Sequence, residues 1–288
     1  MRSWLRAMRP AQWSKNLLLL VPLFTSHMFH AAALGRVALA LVAFSLVASA
    51  TYVLNDLRDV QADRRHPWKR FRPFAAGDLS PRQGIVGIAV LLVIGLVLAG
   101  LVSPLFLLTV LAYLALTVAY SAFLKAYVLV DVFLLAGLYA MRIIAGAAAI
   151  GTAVSPWLLA FSSFLFFSLA LVKRYAELAG LAQRGEADTA GRDYHVADNA
   201  MLRTMGIASG YLAVLVLAQF INTPPVKEKY DYPNVLGLLC PAVLYWISRL
   251  WMKTARGQMH EDPILYCIKD PTTWLVVAAM IVITLVAI

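Results

Sequence analysis

Four oxygen-bearing side chains crowd one stretch of the sequence, Asn55-Asp56-Leu-Arg58-Asp59-Val-Gln-Ala-Asp63. Asn55, Asp59 and Asp63 stand at i, i+4 and i+8, and Asp56 precedes Asp59 by three and Asp63 by seven. On a helix all four project to one face. Three like charges on one stripe repel, a cost that is offset when a divalent cation bridges them. Hard oxygen donors suit Mg²⁺, which is typically held by one or two carboxylates together with substrate phosphates. The alternative is a solvated acidic helix end paired with Arg58, Arg64 and Arg65. Directly after it comes Lys69-Arg70-Phe71-Arg72-Pro73. Three cations in four residues suit phosphate oxygens, or are the ordinary charge of an inner membrane loop.

The elements that carry these residues follow from composition. Of 288 residues, 61% are hydrophobic and 14% charged, against about 45–50% and 25% in soluble domains. The apolar surface exceeds what a soluble enzyme of this size buries, so the fold class is all-α, a polytopic membrane protein. Disorder and a disulfide scaffold are excluded, and Cys240 and Cys267 read as free thiols. With about 20 apolar residues per crossing, nine transmembrane helices are expected: Asn16–Ala33, Val37–Leu57, Gln83–Val102, Pro104–Leu124, Val128–Ile150, Pro156–Leu178, Leu202–Ile221, Pro233–Trp251 and Thr272–Ile288. Pro104, Pro156, Pro233 and Pro271 mark helix starts. The opening MRSWLRAMRPAQWSKN has no cleavage site and reads as an interfacial amphipathic segment, with Trp4 and Trp13 at the headgroups. A single transmembrane domain over 1–288 is expected, with 58–82 and 179–201 as cytoplasmic loops over the active site.

Placing the N-terminus inside puts 21 of the 25 Lys and Arg on the cytoplasmic side and three outside, as the positive-inside rule asks. The C-terminus then lies outside. The net charge of +10 is accounted for by those loops and needs no nucleic acid. Twelve of the 15 acids share the inner side, which the rule does not require. Metal plus polyanion chemistry explains it; longer polar inner loops are the alternative.

Asp131 and Arg142 fall inside the fifth span, about 16 Å of helix apart. Intramembrane charges usually border a cavity. Arg142 also fits a scaffold role, satisfying helix carbonyls. Arg192, Asp193, Tyr194 and Asp198 either close over a bound donor or form a solvated connection. The histidines show no metal-ligand spacing, and Phe161, Phe164, Phe166 and Phe167 read as packing or lipid-facing, with one or two beside a groove for a lipid tail.

Asn55-Asp56-x-x-Asp59-x-x-x-Asp63 followed by Lys69-Arg-Phe-Arg-Pro73 and Ala-Gly77 resembles the first motif of the UbiA superfamily of intramembrane prenyltransferases, and the resemblance extends over essentially the whole chain. It implies nine membrane helices, an active site open to the cytoplasm, and Mg²⁺-bound diphosphate, with Asn55 joining the catalytic Asp56, Asp59 and Asp63 as metal ligands. The second motif departs from the aromatic prenyltransferases, which carry two aspartates four apart after the sixth helix. Here Lys173-Arg174-Tyr175-Ala-Glu177 puts a cation where the first aspartate is expected. Less metal and more direct phosphate binding follow.

Arg9-Pro-x-Gln12-Trp13-x-Lys15-Asn16, Lys173 to Glu177, and Glu261-Asp262-Pro263 with Asp270 are similar to the decaprenyl-phosphate phosphoribosyltransferase branch. That likeness implies transfer of 5-phosphoribose from 5-phosphoribosyl 1-diphosphate to polyprenyl (decaprenyl) phosphate in the bacterial inner membrane, for cell-wall arabinan synthesis. The implied substrate-binding set is Lys15, Asn16, Tyr52, Lys69, Arg70, Arg72, Lys125, Asp131, Arg142, Lys173, Arg174, Tyr175, Glu177, Arg192 and Tyr194. Two alternatives stand beside it. One is an aromatic prenyltransferase of quinone or haem synthesis, which Arg174 disfavours. The other is a transporter using Asp131 and Arg142, disfavoured because the acid stripe sits at one membrane face and not at the midplane.

Overall fold

A computed structural model of the chain describes residues 2–65, 68–185, 192–259 and 262–288. Among these there is no strand. The helices in chain order are α1 (Arg2–Met8), a 3₁₀ helix Pro10–Leu20, α2 (Val21–Thr25), α3 (Ala31–Arg58), α4 (Val60–Arg65), α5 (Pro81–Val102), α6 (Pro104–Ala122), α7 (Val130–Ile150), α8 (Pro156–Gln183), α9 (Asn199–Ile221), α10 (Pro224–Lys229), α11 (Leu239–Ala255), α12 (Pro263–Lys269) and α13 (Pro271–Ala287). Pro104, Pro156 and Pro271 each open a helix, and Pro233 opens a short 3₁₀ turn ahead of α11. Side-chain caps fix several starts. Ser80 and Gln83 form a reciprocal capping box on α5, and Ser103 accepts from the Phe106 amide on α6.

The nine expected spans are corrected at two places. Among the described residues seven helices are long and apolar enough to cross a membrane, eight if the α12–α13 pair counts as one. The first expected span does not form as a single α-helix. The chain runs as a 3₁₀ helix to Leu20, restarts as α2, and turns at His27, whose φ is +56°, before α3. Pro22 has no amide N–H to continue an α-ladder, and its ring sits at the start of α2. The 3₁₀ stretch rises about 2 Å per residue, so Pro10–Thr25 still covers about 30 Å, close to a hydrocarbon core. At the other end, α12 and α13 meet at a 79° bend. Asp270 caps α13 by accepting from the Thr273 amide (2.9 Å) and is clamped by both terminal nitrogens of Arg249 at 2.7 and 3.0 Å.

Residues 1–123 and 141–154 form one compact unit, and 124–140 with 155–288 another. In the first unit α3 is the central helix, with 61% of its apolar window buried against 22% for α5. The outer face of α5 (Ile85, Val86, Val90, Val93, Val97) is apolar and exposed, as lipid requires. Gly95 lets α5 approach the Ala43 carbonyl and Val47 of α3, the small-residue contact that packs helices in membranes. The interfacial segment is tied down more firmly than expected. Trp4 lies over Gly87, where a Cβ would sit 2.1 Å from the indole. Trp13 is half-buried and donates its N–H to Ser49 Oγ at 3.0 Å, because a half-buried indole N–H needs an acceptor.

In the second unit α8 packs along α9 and α11 against α9. Ser168 Oγ donates to the Gly206 carbonyl at 2.7 Å and accepts from Trp251 Nε1 at 3.0 Å. The indole fills the space a side chain at Gly206 would need.

Gly146, near the end of α7, is the tightest backbone approach in the first unit. An added Cβ would stand 2.2 Å from the Leu19 carbonyl oxygen, which cannot rotate away. Gly146→Ala is therefore expected to lower stability by about 1–3 kcal/mol. Gly137→Ala in the same helix, where a Cβ meets nothing within 4 Å, should be nearly neutral. Thermal unfolding of both variants in detergent checks the contrast.

Candidate active site

The acid stripe lies where α3 gives way to α4. Asp59 is the hinge residue, with φ −93° and ψ 8°, yet the backbone ladder carries through: the Asp59 amide donates to Asn55 and the Asp63 amide to Asp59, at 2.9 and 2.8 Å. Asp56 and Asp63 are buried, at 2% and 3% exposure, whereas Asp59 is half-buried. Arg72 joins the two buried acids, at 3.3 Å from Asp56 Oδ1 and 2.7 Å from Asp63 Oδ2. Arg9 donates to the same Asp56 Oδ1, and its guanidinium lies over the Tyr52 ring at 5.6 Å. The second oxygen of Asp56 is buried with no hydrogen-bond partner among the described residues, and the half-buried Asp59 carboxylate makes no side-chain hydrogen bond or ion pair among them.

The four-oxygen cluster expected at Asn55, Asp56, Asp59 and Asp63 is not drawn together by protein alone. Among the described residues no three His, Cys, Asp or Glu side chains converge closely enough to hold a metal. The stripe still fits a hard cation that takes only one or two protein carboxylates: an open oxygen on Asp56, and on Asp59 a carboxylate without a partner, are the donors such an ion uses. The cations that follow divide by position. Arg72 is half-buried on the acids, while Lys69 and Arg70 are exposed, Arg70 lying against Phe71. The loop is pinned by Arg64 Nε donating to the Ala75 carbonyl (3.3 Å), by buried Phe74, and by Gly77 at φ +85°.

Arg142 is a scaffold within the first unit. It is 4% exposed, donates to Asn16 Oδ1 and Tyr113 Oη at 3.1 Å each, and stacks by Phe44. Asn16 in turn donates to Ser45 at 2.9 Å. Arg142 and Asn16 thus hold the 3₁₀ helix to α3, α6 and the end of α7. Lys15 is buried on the same 3₁₀ turn.

In the second unit the structure gathers Asp131, Arg174, Glu177, Arg192 and Tyr194. Asp131 is fully buried and Arg174 is 1% exposed. Arg174 donates to both Asp131 and Glu177. Tyr194 donates to Asp131 Oδ1 at 2.6 Å and accepts from the Leu129 amide at 2.8 Å. Burial first, and then the bond to Asp131, raise the Tyr194 pKa well above its ordinary value, so the hydroxyl stays a donor. Arg192 reaches Glu177 at 3.1 Å. The charge of Arg174 is matched inside the protein, where sequence alone suggested a phosphate ligand. Lys173 stands 3.4 Å from Asp262, which is also near the Tyr139 hydroxyl. Tyr175 packs against Trp251, and Lys125 lies in the short turn before α7. Glu261 lies outside the described residues, as do His66, Glu186 and Asp188. Phe133, Phe164 and Phe167 line an apolar groove of about 430 Å³ among α7, α8 and α9, whereas Phe166 packs on Tyr139.

Arg9 is the site residue that residue spacing did not single out. It lies 47 positions from Asp56, and no periodicity links the two. Its local signals are its place at the head of the Arg9-Pro-x-Gln12-Trp13 stretch and the following Pro10, which disfavours a helical Arg9.

The UbiA prenyltransferase family pattern matches residues 19–261. The chain is 38% identical over 269 residues to nodulation protein NoeC of Azorhizobium caulinodans, covering 93% of this chain and 87% of NoeC. It is 38% identical over 279 residues to the uncharacterized protein y4nM of Sinorhizobium fredii, covering 96% of this chain but 54% of y4nM. A stretch of 184 residues, 62% of this chain, is 39% identical to decaprenyl-phosphate phosphoribosyltransferase of Mycobacterium tuberculosis and covers 61% of that enzyme. The chain therefore spans little more than half the length of y4nM and under two thirds of the mycobacterial enzyme. In fold it is similar to a UbiA homolog from Archaeoglobus fulgidus bound to GPP and Mg²⁺, with a TM-score of 0.70, 17% identity and 99% of each chain covered. A multi-pass helical membrane protein with this acid stripe, matched over residues 19–261, the chain belongs to the UbiA prenyltransferase family.

Proposed function

We propose that this chain is a Mg²⁺-dependent transferase that moves 5-phosphoribose from 5-phosphoribosyl 1-diphosphate to a polyprenyl phosphate such as decaprenyl phosphate, releasing diphosphate. The observation that carries the reading is the pairing of Asp56 and Asp63 with Arg9 and Arg72, beside a half-buried Asp59 whose carboxylate has no partner among the described residues. Such a site holds both signs of charge at once, which a diphosphate and its cation need. The 39% likeness to a decaprenyl-phosphate phosphoribosyltransferase supports the choice of donor and acceptor.

Asp56 and Asp59 would hold the ion, with Asn55 and Asp63 at its margin, and the ion when bound supplies Lewis-acid stabilisation of charge on the leaving diphosphate. Arg72, with Lys69 and Arg70 on the same loop, would take the non-bridging diphosphate oxygens. The C1–O bond then breaks toward an oxocarbenium-like state, as in other glycosyl transfers. The acceptor phosphate is already ionised, so no side chain need remove a proton. Lys and Arg orient it and reduce repulsion between the anions. In the second unit Lys173, beside Asp262, and Arg192, beside Glu177, are the proposed phosphate ligands, with Lys125 in the short turn before α7 as a third and Tyr175 packed against Trp251. Arg174, Glu177 and Tyr194 act as positioning residues, because their polar groups are turned on one another and on Asp131. The groove beside Phe133, Phe164 and Phe167 suits the polyprenyl tail. We place the reaction at the inner face of a bacterial plasma membrane, in service of arabinan precursor synthesis.

The test is direct. Purified protein is incubated with Mg²⁺, 5-phosphoribosyl 1-diphosphate and decaprenyl phosphate, and in parallel with isoprenyl diphosphate and an aromatic acid. Lipid-linked phosphoribose in the first mixture is the expected product. A prenylated ring in the second, with no lipid product in the first, would replace this reading by an aromatic prenyltransferase.

A further inference from the structure

We infer that Arg9 and Arg72 are resting cations of the acid site, and that they release Asp56 and Asp63 to a divalent cation only when it arrives with a diphosphate. The inference rests on the metal reading proposed above and adds an order of binding to it.

The charge balance is local. Asp56 and Asp63 carry two negative charges, and Arg9 and Arg72 bring two positive ones onto them. Both guanidinium groups crowd one oxygen of Asp56, while the other oxygen is buried with no partner among the described residues. A bare divalent cation approaching that open oxygen meets two cations already in place, with no anion to receive them. A diphosphate changes the balance, because its oxygens accept guanidinium groups readily and often in a bidentate fork.

The layering fits such an exchange. The Asp56 and Asp63 side chains are 2% and 4% exposed, whereas those of Arg9 and Arg72 are 27% and 28% exposed. The arginines thus form the outer layer, and the acids are reached past them. Arg9 is held for this contact at a backbone cost. Its φ of 52° and ψ of 62° lie in the left-handed region, which residues with a Cβ rarely occupy. It sits at the turn between α1 and the 3₁₀ helix, where the chain can reorient without breaking a helix. The Tyr52 face at 5.6 Å gives its guanidinium a second contact.

Mn²⁺ binding to the full chain in detergent, followed by electron paramagnetic resonance with and without inorganic pyrophosphate, tests the order without any turnover. In the wild type, pyrophosphate is expected to tighten Mn²⁺ binding by about tenfold or more. Arg9→Ala should tighten binding of Mn²⁺ alone at least about fivefold and weaken binding of Mn²⁺ with pyrophosphate by a similar factor. Arg72→Lys keeps the charge but loses the fork. It should shift the same two affinities in the same directions by less, and it carries the test if Arg9→Ala does not fold. Wild-type binding of Mn²⁺ alone as tight as with pyrophosphate would overturn the inference, as would an Mn²⁺-alone affinity that the variants leave unchanged or lower. Absence of Mn²⁺ binding to the wild type in both conditions would instead overturn the metal reading itself, and the inference with it.

Discussion

Asp59→Ala is expected to lower transfer by about 10³-fold or more, roughly 4 kcal/mol of lost transition-state stabilisation, while leaving the thermal transition of the protein within a degree or two. The two halves of this expectation have separate causes. The Asp59 carboxylate has no partner among the described residues and is half-buried at the turn between α3 and α4, so its removal breaks no hydrogen bond or ion pair among them. An alanine at that turn also leaves intact the backbone bonds from Asp59 to Asn55 and from Asp63 to Asp59. On the reading proposed above, an acid without a partner beside two paired acids is the one expected to hold the bound cation. Single-turnover assays at saturating Mg²⁺, set beside unfolding curves of the same preparations, measure both halves. Turnover within tenfold of wild type would remove Asp59 from the metal site. Asp63→Ala should behave differently, because it frees Arg72 from its 2.7 Å contact and so disturbs both loop and site.

Arg174→Met is expected to be among the most destabilising single changes in the protein, by about 3–5 kcal/mol. The guanidinium is 1% exposed and bonds to Asp131, which is itself fully buried. Removing the cation leaves a buried carboxylate with, among the described residues, Tyr194 at 2.6 Å and Arg192 at 4.0 Å to compensate it, and such a charge is expensive in a medium of low polarity. The double change Arg174→Met with Asp131→Asn should recover most of the loss, because the uncompensated charge disappears with its partner. Recovery in the double variant, read by denaturant or thermal unfolding in detergent, separates this internal pairing from phosphate binding. If Arg174 bound substrate and did nothing else, the single variant would lose affinity for donor or acceptor and keep its stability. Tyr194→Phe offers a milder form of the same experiment, since it removes one bond to Asp131 and leaves the Leu129 amide without its acceptor.

Much of this was visible in the linear chain because it depends on short-range periodicity. The acids of 55–63 fall on one stripe by helical spacing. The long apolar runs became helices within a few residues of their expected limits, with prolines at their starts. The first span escaped the same reasoning. Hydropathy registers that Asn16–Ala33 is apolar but not that Pro22 and the turn at His27 divide it, or that a 3₁₀ pitch stretches its first part. Composition likewise cannot show that Ser49 offers the Trp13 indole an acceptor.

Charge pairing was the least legible property. Arg174 reads in sequence as a cation available to phosphate, and Arg142 as either a substrate ligand or a scaffold; in the structure both are answered within the protein, by Asp131 and Glu177 in one case and by Asn16 and Tyr113 in the other. These partners lie 43, 126 and 29 positions away, apart from the neighbouring Glu177. A polytopic helical membrane protein with an oxygen-rich, cation-flanked stripe at the end of one span is legible from residues within a few turns of each other. Which charges remain open to a ligand and which are neutralised internally emerges with the fold, because helix packing brings those side chains together from distant stretches of chain.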